Sequence, residues 1–309
     1  MPEGRIPEFF IVGAPRCGTT YMFDYLGRHP GVYVPPNKEP NHFCTDLDSG
    51  SFLDSVSFMR DRDEYRMLFA EADERQLAGE ASTWYLYSRD ASANIHAARA
   101  DARILIMLRD PVEMMYSLHG RRRFGGTEEL PFAEALAAEE DRRHGRRLPR
   151  RPRNVKGLLY RDVARYAEQV ERYLDRFGPD QVHITIFDDF RSDPRAAYAS
   201  VLGFLGLPAI PMTEAAVVNA AARRRSETLQ RAILTPWVIR LGRKIIPRTL
   251  RPHVGPLMDR LNAAPERRTA LDPALRRSLV QELRPDVRRL GALLDRDLEE
   301  LWLGDPAAD

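Results

Sequence analysis

Phe9-Phe-Ile-Val12 runs straight into Gly13-Ala-Pro-Arg-Cys-Gly18, and Thr19-Thr20 then opens a helical pattern reaching toward His29. Four apolar residues, a glycine-bearing turn and a polar helix start read as strand, loop and helix. Such a junction is an anion site, because backbone N–H groups converge there and the helix dipole adds about half a positive charge. Gly18 lets the backbone approach a phosphate closely, and the threonine hydroxyls supply further donors or a cap. Ala14, Pro15, Arg16, Cys17, Gly18, Thr19 and Thr20 are therefore the candidate phosphate loop. The Walker pattern is not met: it needs lysine directly after the second glycine. Thr19 stands there, and the cation, Arg16, precedes the glycine. The bland alternative is a plain strand-to-helix turn.

Further apolar runs at Leu77–Glu80, Ile104–Leu108 and Val182–Phe187 read as buried strands. Helical patterns lie between them, near 90–100, 111–123, 132–143 and 158–177. In the last, Leu159, Val163, Tyr166, Val170 and Tyr173 recur at steps of three and four, which places them on one helix face. Strands alternating with helices predict an α/β fold with a P-loop-like central parallel sheet flanked by helices. After about Pro208 the strand signals stop. Arg225–Ile246 and Asp272–Trp302 read as helices, the second with an apolar stripe of Leu283, Val287, Leu290, Leu294, Leu298 and Leu301 that packs back on the sheet. Residues 1–309 read as one domain, with its core at about 9–207 and a helical C-terminal portion at about 208–303.

The 309 residues are 43% hydrophobic and 30% charged, ordinary for a globular protein. No stretch approaches the roughly 18–20 apolar residues that span a bilayer, so no membrane partner is expected. The first residues lack a signal-peptide layout. Cys17 and Cys44 are the two cysteines, too few for a disulfide framework or zinc spacing, and the expectation is a cytoplasmic protein. Net charge is +2, and all but three of the 47 basic residues are arginine. Arg142 to Arg153 and Arg223 to Arg225 are the densest runs. They read either as a surface for anions or nucleic acid or as solvated arginines; interleaved aromatics and a nucleic-acid reading motif are absent.

Arg109 falls at the carboxyl end of its strand, where α/β sheets place ligands, and Ser117 lies about two turns into the next helix. A guanidinium and a hydroxyl suit a phosphate monoester; the bland reading pairs Arg109 with Asp110 or Glu113. Ile104–Leu108 also passes for a Walker B strand with Asp110 as a magnesium ligand, the reading of a small-molecule kinase. Asp110-Pro111 reads better as an N-cap followed by proline at the first helical position, so a metal-free transfer is expected. Val34-Pro-Pro-Asn-Lys-Glu-Pro40 is too proline-rich for a helix and carries Glu39 back toward the phosphate loop. A carboxylate there can remove a proton from an acceptor, although a loop glutamate is more often simply solvated. His42 and His119 are the other candidate bases.

With these segments in place, the chain resembles the PAPS-dependent sulfotransferases, particularly bacterial members and the heparan sulfate branch. Phe10 to Thr20 resembles that family's 5′-phosphosulfate loop, with Arg16 at the position of its usual lysine. His29-Pro30 and Lys38-Glu-Pro-Asn-His-Phe43 resemble the next segment, and Gly79-Glu-Ala-Ser-Thr-Trp-Tyr-Leu86 the substrate-side strand, without the lysine some relatives carry there. Leu108-Arg-Asp-Pro-Val-Glu113 with Tyr116-Ser117 resembles the 3′-phosphate site. Pro265-Glu-Arg-Arg-Thr269 is placed like the loop closing over the nucleotide. The resemblance implies sulfuryl transfer from PAPS to a hydroxyl or amine, releasing PAP. In it Glu39 is the base, Arg16 and the loop stabilise the leaving phosphate, Arg109 and Ser117 hold the 3′-phosphate, and Arg267 and Arg268 contact the nucleotide. The acceptor implied is a carbohydrate or small-molecule natural product, with 43–76 and 121–156 as the acceptor-side insertions and Arg121 to Arg123 as an option for acidic acceptors. Oligomeric state is not legible.

Overall fold

The computed structural model describes residues 4–36, 38–50, 54, 57–210, 222–224, 263–265 and 270–304. Five parallel strands form its main sheet: β1 (Phe9–Gly13), β2 (Val32–Tyr33), β3 (Leu77–Ala81), β4 (Arg103–Leu108) and β5 (Val182–Ile186), in the order β2-β3-β1-β4-β5. The α/β expectation with a P-loop-like sheet holds. Every residue of β1 is buried, which explains its unbroken apolar sequence: a central parallel strand is covered on both faces. A short antiparallel pair, β6 (Ala222–Arg224) and β7 (Ala263–Pro265), lies apart from this sheet.

The strand order positions the site. From β1 the chain moves to β2 on one side, and from β3 it crosses to β4 on the other. The loops leaving β1 and β4 therefore diverge at the carboxyl edge and open a crevice between them. Helix α1 (Thr19–Leu26) follows β1; α2 (Arg62–Met67) and α3 (Ala91–Ala98) flank β3 in sequence; α4 (Pro111–Gly125) follows β4. Beyond these come α5 (Phe132–Ala137), α6 (Glu139–Arg143), α7 (Tyr160–Ala164), α8 (Tyr166–Phe177), α9 (Phe187–Ser192), α10 (Pro194–Phe204), α11 (Pro273–Leu294) and α12 (Leu298–Leu303).

Aspartate-proline pairs start three of the helices. Asp110, Asp193 and Asp272 accept backbone N–H groups of α4, α10 and α11, and proline stands at the first turn of each. Three expected helices are divided. The 132–143 segment breaks at Ala138, and 158–177 breaks at Arg165, whose ψ of 89° leaves the helical region. The C-terminal helix stops at Asp295, which turns left-handed at φ 49°. Leu283, Val287, Leu290 and Leu298 are buried, and Leu294 packs against the core. Leu301 is a correction: it is 41% exposed, because α12 restarts at a new phase after the break. The last apolar run ends at Ile186, and Phe187 begins α9. The Arg225–Ile246 helix lies outside the described residues. Among the described residues no helix is long and apolar enough to cross a membrane.

Part of the arginine-rich stretch is internal. Arg142 is fully buried and pairs with Glu128 at 2.8 Å, while Tyr160 Oη donates to the same carboxylate at 2.9 Å. Arg122, also buried, donates to the carbonyls of Arg153 and Asn154 and lies 5.3 Å from the centre of the Trp84 ring. Arg143 pairs with Asp162 and Arg146 with Asp141. Arg122 and Arg142 brace the 121–156 insertion from within, whereas Arg143 and Arg146 pair on its surface. Removing one partner of a buried pair strands the other charge. Glu128→Ala is expected to lower unfolding free energy by about 3–5 kcal/mol, read as a shift of the urea midpoint; a shift near zero would show that Arg142 finds another partner.

Candidate active site

The phosphate loop leaves β1 with Ala14 N–H bonded to the Met107 carbonyl of β4 at 2.7 Å, so the turn is anchored on the neighbouring strand. Gly18 caps α1 at φ 87°, and a methyl group there would meet the Phe187 ring at 2.9 Å. Both facts require glycine. The Cys17 thiol is buried against the Pro15 carbonyl and Tyr166, and burial pushes it up to about 12. It is a packing residue, not a nucleophile.

Arg16 sits at φ 65°, a left-handed conformation unusual for a side-chain-bearing residue. Its Nε donates to Ser117 Oγ at 3.1 Å. That bond joins the loop after β1 to the helix after β4, bringing the two expected anion grips into one crevice. Burial, then the charges of Arg121 and Arg109, push Arg16 down from its ordinary value. The guanidinium still remains protonated. Three neighbouring cations with one partly desolvated form a site whose electrostatics favour an anion.

Arg109 also makes the pairing of its bland reading. Its Nη2 lies 3.2 Å from Glu113, and its guanidinium lies 5.1 Å from the centre of the Phe187 ring. Beside it opens a cavity of about 400 Å³ lined by Arg109, Glu113, Asp188, Arg191, Arg276 and Trp302. Both oxygens of Asp110 have protein partners. Its Oδ1 accepts from Val112 and Glu113 N–H as the α4 cap, and its Oδ2 lies 3.3 Å from Arg276.

Glu39 lies on the same edge. Its N–H donates to the Ala81 carbonyl at 3.0 Å, docking the proline-rich segment on the end of β3. Glu39 Oε1 accepts from Thr83 Oγ1 at 3.2 Å and lies 3.3 Å from Lys38 Nζ. Lys38 Nζ in turn donates to Thr20 Oγ1 at 3.1 Å. One ammonium thus links the carboxylate to the phosphate loop. The two histidines are engaged elsewhere. His42 stacks on Tyr65 at 4.3 Å with Nδ1 on the Met59 carbonyl, lining a separate cavity of about 540 Å³. His119 is buried, with Nε2 on the Leu130 carbonyl.

The model of the sulfotransferase family matches residues 7–211. The chain belongs to that family. A crystal structure of a sulfotransferase from Alicyclobacillus acidocaldarius matches with a TM-score of 0.71 at 30% identity, covering 96% of this chain and 99% of that one. The bifunctional heparan sulfate N-deacetylase/N-sulfotransferase 3 of Homo sapiens is 28% identical over 207 residues, 66% of this chain and 22% of that protein. Heparan sulfate glucosamine 3-O-sulfotransferase 3A1 of Homo sapiens is 24% identical over 217 residues, 68% of this chain and 47% of that protein. The chain spans less than half the length of either curated relative.

In this member of the sulfotransferase family, two sets of contacts meet the candidate loop: Arg16 with Ser117, and Thr20 with Lys38 and Glu39. Arg267 and Arg268 lie outside the described residues. Sequence reasoning missed the contacts of Lys38 and Thr83 with Glu39. The signal for Lys38 was its rarity, as one of the few lysines in an arginine-dominated chain.

Proposed function

We propose that this chain transfers a sulfuryl group from PAPS to a hydroxyl or amine, releasing PAP, without a metal ion. The observation that carries this reading is the Arg16–Ser117 bond, which ties the two anion grips together. PAPS has phosphate at both its 5′ and 3′ ends, and the cations of Arg16 and Arg109 fit that pair of charges. When bound, PAPS supplies a sulfuryl group carried on a phosphate leaving group. Ala14 to Thr20 hold its 5′ end, and Arg109 and Ser117 its 3′-phosphate.

Glu39 takes the proton of the acceptor as the acceptor oxygen or nitrogen bonds to sulfur and the bond from sulfur to the bridging oxygen breaks. The electron pair of that bond stays on the bridging oxygen, where Arg16 and the loop N–H groups stabilise the charge. Lys38 keeps Glu39 over the loop and adds positive charge at the same end. Fixed cations do here what magnesium does in a kinase, and the engagement of Asp110 with its helix cap and Arg276 favours this over a kinase site. Residues 1–309 are read as one domain. Cys17 and Cys44, both buried free thiols, suit a cytoplasmic setting. The heparan sulfate relatives make a carbohydrate the first acceptor class to test, followed by small-molecule alcohols and amines.

Calorimetric titration of PAP in EDTA tests this reading. Wild-type protein should bind, and Arg109→Ala should bind about 10- to 100-fold more weakly with an unchanged melting temperature in the absence of PAP. Wild-type affinity in the variant would place the 3′-phosphate elsewhere. Strict dependence on magnesium would revive the kinase reading. Radiolabelled PAPS with heparan-type oligosaccharides, monosaccharides, phenols and amines then defines the acceptor.

A further inference from the structure

Glu80 is the fourth residue of β3 and is 1% exposed, below the edge that carries Glu39. Its Oε2 accepts Tyr65 Oη from α2 at 2.5 Å and Tyr85 Oη at 3.1 Å, and its Oε1 accepts Ser82 Oγ at 2.5 Å. A hydroxyl has one proton to give. With that proton directed at Glu80, Ser82 Oγ turns a lone pair to the N–H of Asn41, at 3.0 Å. Tyr85 Oη likewise accepts the N–H of Phe43, at 3.4 Å. Both N–H groups belong to the segment that Glu39 opens. Glu39 and Asn41 are left-handed there, at φ 61° and 50°, a conformation that persists only when its surroundings over-determine it. The Asn41 side chain adds to this by donating to the Glu39 carbonyl at 3.0 Å.

We propose that Glu80 is a positioning residue for the transfer: by taking the protons of Ser82 and Tyr85, its carboxylate fixes both hydroxyls as acceptors for the main chain of Asn41 and Phe43 and so holds Glu39 over the phosphate loop. The proposal rests on Glu39 as the base. Glu80 itself does not touch the reacting groups. A protonated Glu80 carries a proton of its own to donate, so one of its three hydroxyl partners must point its own proton elsewhere, and the carboxylate's hold on the Ser82 and Tyr85 orientations loosens.

Tyr65 of α2, Tyr85 beyond β3, Tyr173 of α8 and Cys44 are all held well above their ordinary values by burial. Glu39 is a further charged neighbour. Burial raises Glu80 from its ordinary 4.5 to about 7, although its hydroxyl donors pull the other way. Turnover should therefore rise with pH through about 7 as Glu80 ionises. Stability should move oppositely: between 4.5 and about 7 the folded chain holds a proton that the unfolded chain has released. Raising pH across that window lowers stability.

The test is the rate of PAP release from PAPS, with the best acceptor of the panel above, across a pH series. Glu80→Gln has two N–H donors where hydroxyl protons now point. It should lower kcat by about 10- to 100-fold, keep PAP affinity within about threefold, and lose the rise near neutrality. The double variant Ser82→Ala, Tyr85→Phe leaves Glu80 in place, removes both relays, and should show the same loss of kcat even if Glu80→Gln folds poorly. Adding Glu80→Gln to Glu39→Gln should cost little more. Wild-type kcat in Glu80→Gln or in the double variant, while Glu39→Gln is slow, would overturn this proposal alone. A fast Glu39→Gln would instead remove the base on which it rests.

Discussion

Glu39→Gln lowers kcat for PAP release by about 10²–10⁴-fold and leaves PAP affinity within about threefold of wild type. Glutamine keeps the size of the side chain and can still accept from Thr83, whose hydroxyl lies 3.2 Å from Glu39 Oε1. What it loses is the capacity to take a proton. The split between kcat and nucleotide affinity is the diagnostic part, because a merely structural glutamate would disturb both. His42 and His119 each place one ring nitrogen on a carbonyl, of Met59 and Leu130, and His42 lines a separate cavity. An unchanged kcat in Glu39→Gln would end its assignment as base.

The second large effect belongs to Arg16. Arg16→Ala removes the cation between the two grips together with the bond to Ser117. Losing one preorganised donor to a developing oxyanion costs about 10²–10³-fold in kcat, and here PAP affinity falls as well, because ground-state phosphate is held by the same group. Arg16→Lys should recover most of the rate. Lysine retains the charge, although it is a point charge without the second parallel hydrogen bond. If Arg16→Ala turned over at the wild-type rate, the loop would be a strand-to-helix turn and nothing more.

Much of the fold was legible because parallel strands buried on both faces are continuous apolar runs. β1 and β4 carry that signal fully, β3 with its Gly79 and Glu80 and the half-buried edge strand β5 carry it more weakly, and β2 is only two residues, Val32–Tyr33, at the other edge. The Asp193-Pro194 start of α10 repeats the Asp110-Pro111 signal and went unread. The splits at Arg165 and Asp295 were hidden because single residues leave the helical region without glycine or proline to mark them.

The candidate site could be read where chemistry and position coincide in one short segment, as in the candidate phosphate loop. It was less so where partners come from distant segments. Arg142 reads as one more cation in a charged run, yet Glu128 and Tyr160 make it a core residue. Lys38 gains meaning only once Thr20 and Glu39 meet across the edge of the sheet. Glu80 sits in a strand whose sequence shows a charge where the structure shows a fully enclosed acceptor for three hydroxyls.

The account turns on two phosphate grips in one crevice, and the measurement that addresses them most directly is calorimetric titration of PAP against 5′-AMP on the wild-type protein in EDTA. The two ligands differ by the 3′-phosphate. PAP should bind about 10- to 100-fold more tightly, the contribution of one charged hydrogen-bonded phosphate. Equal affinities for PAP and 5′-AMP would contradict the account.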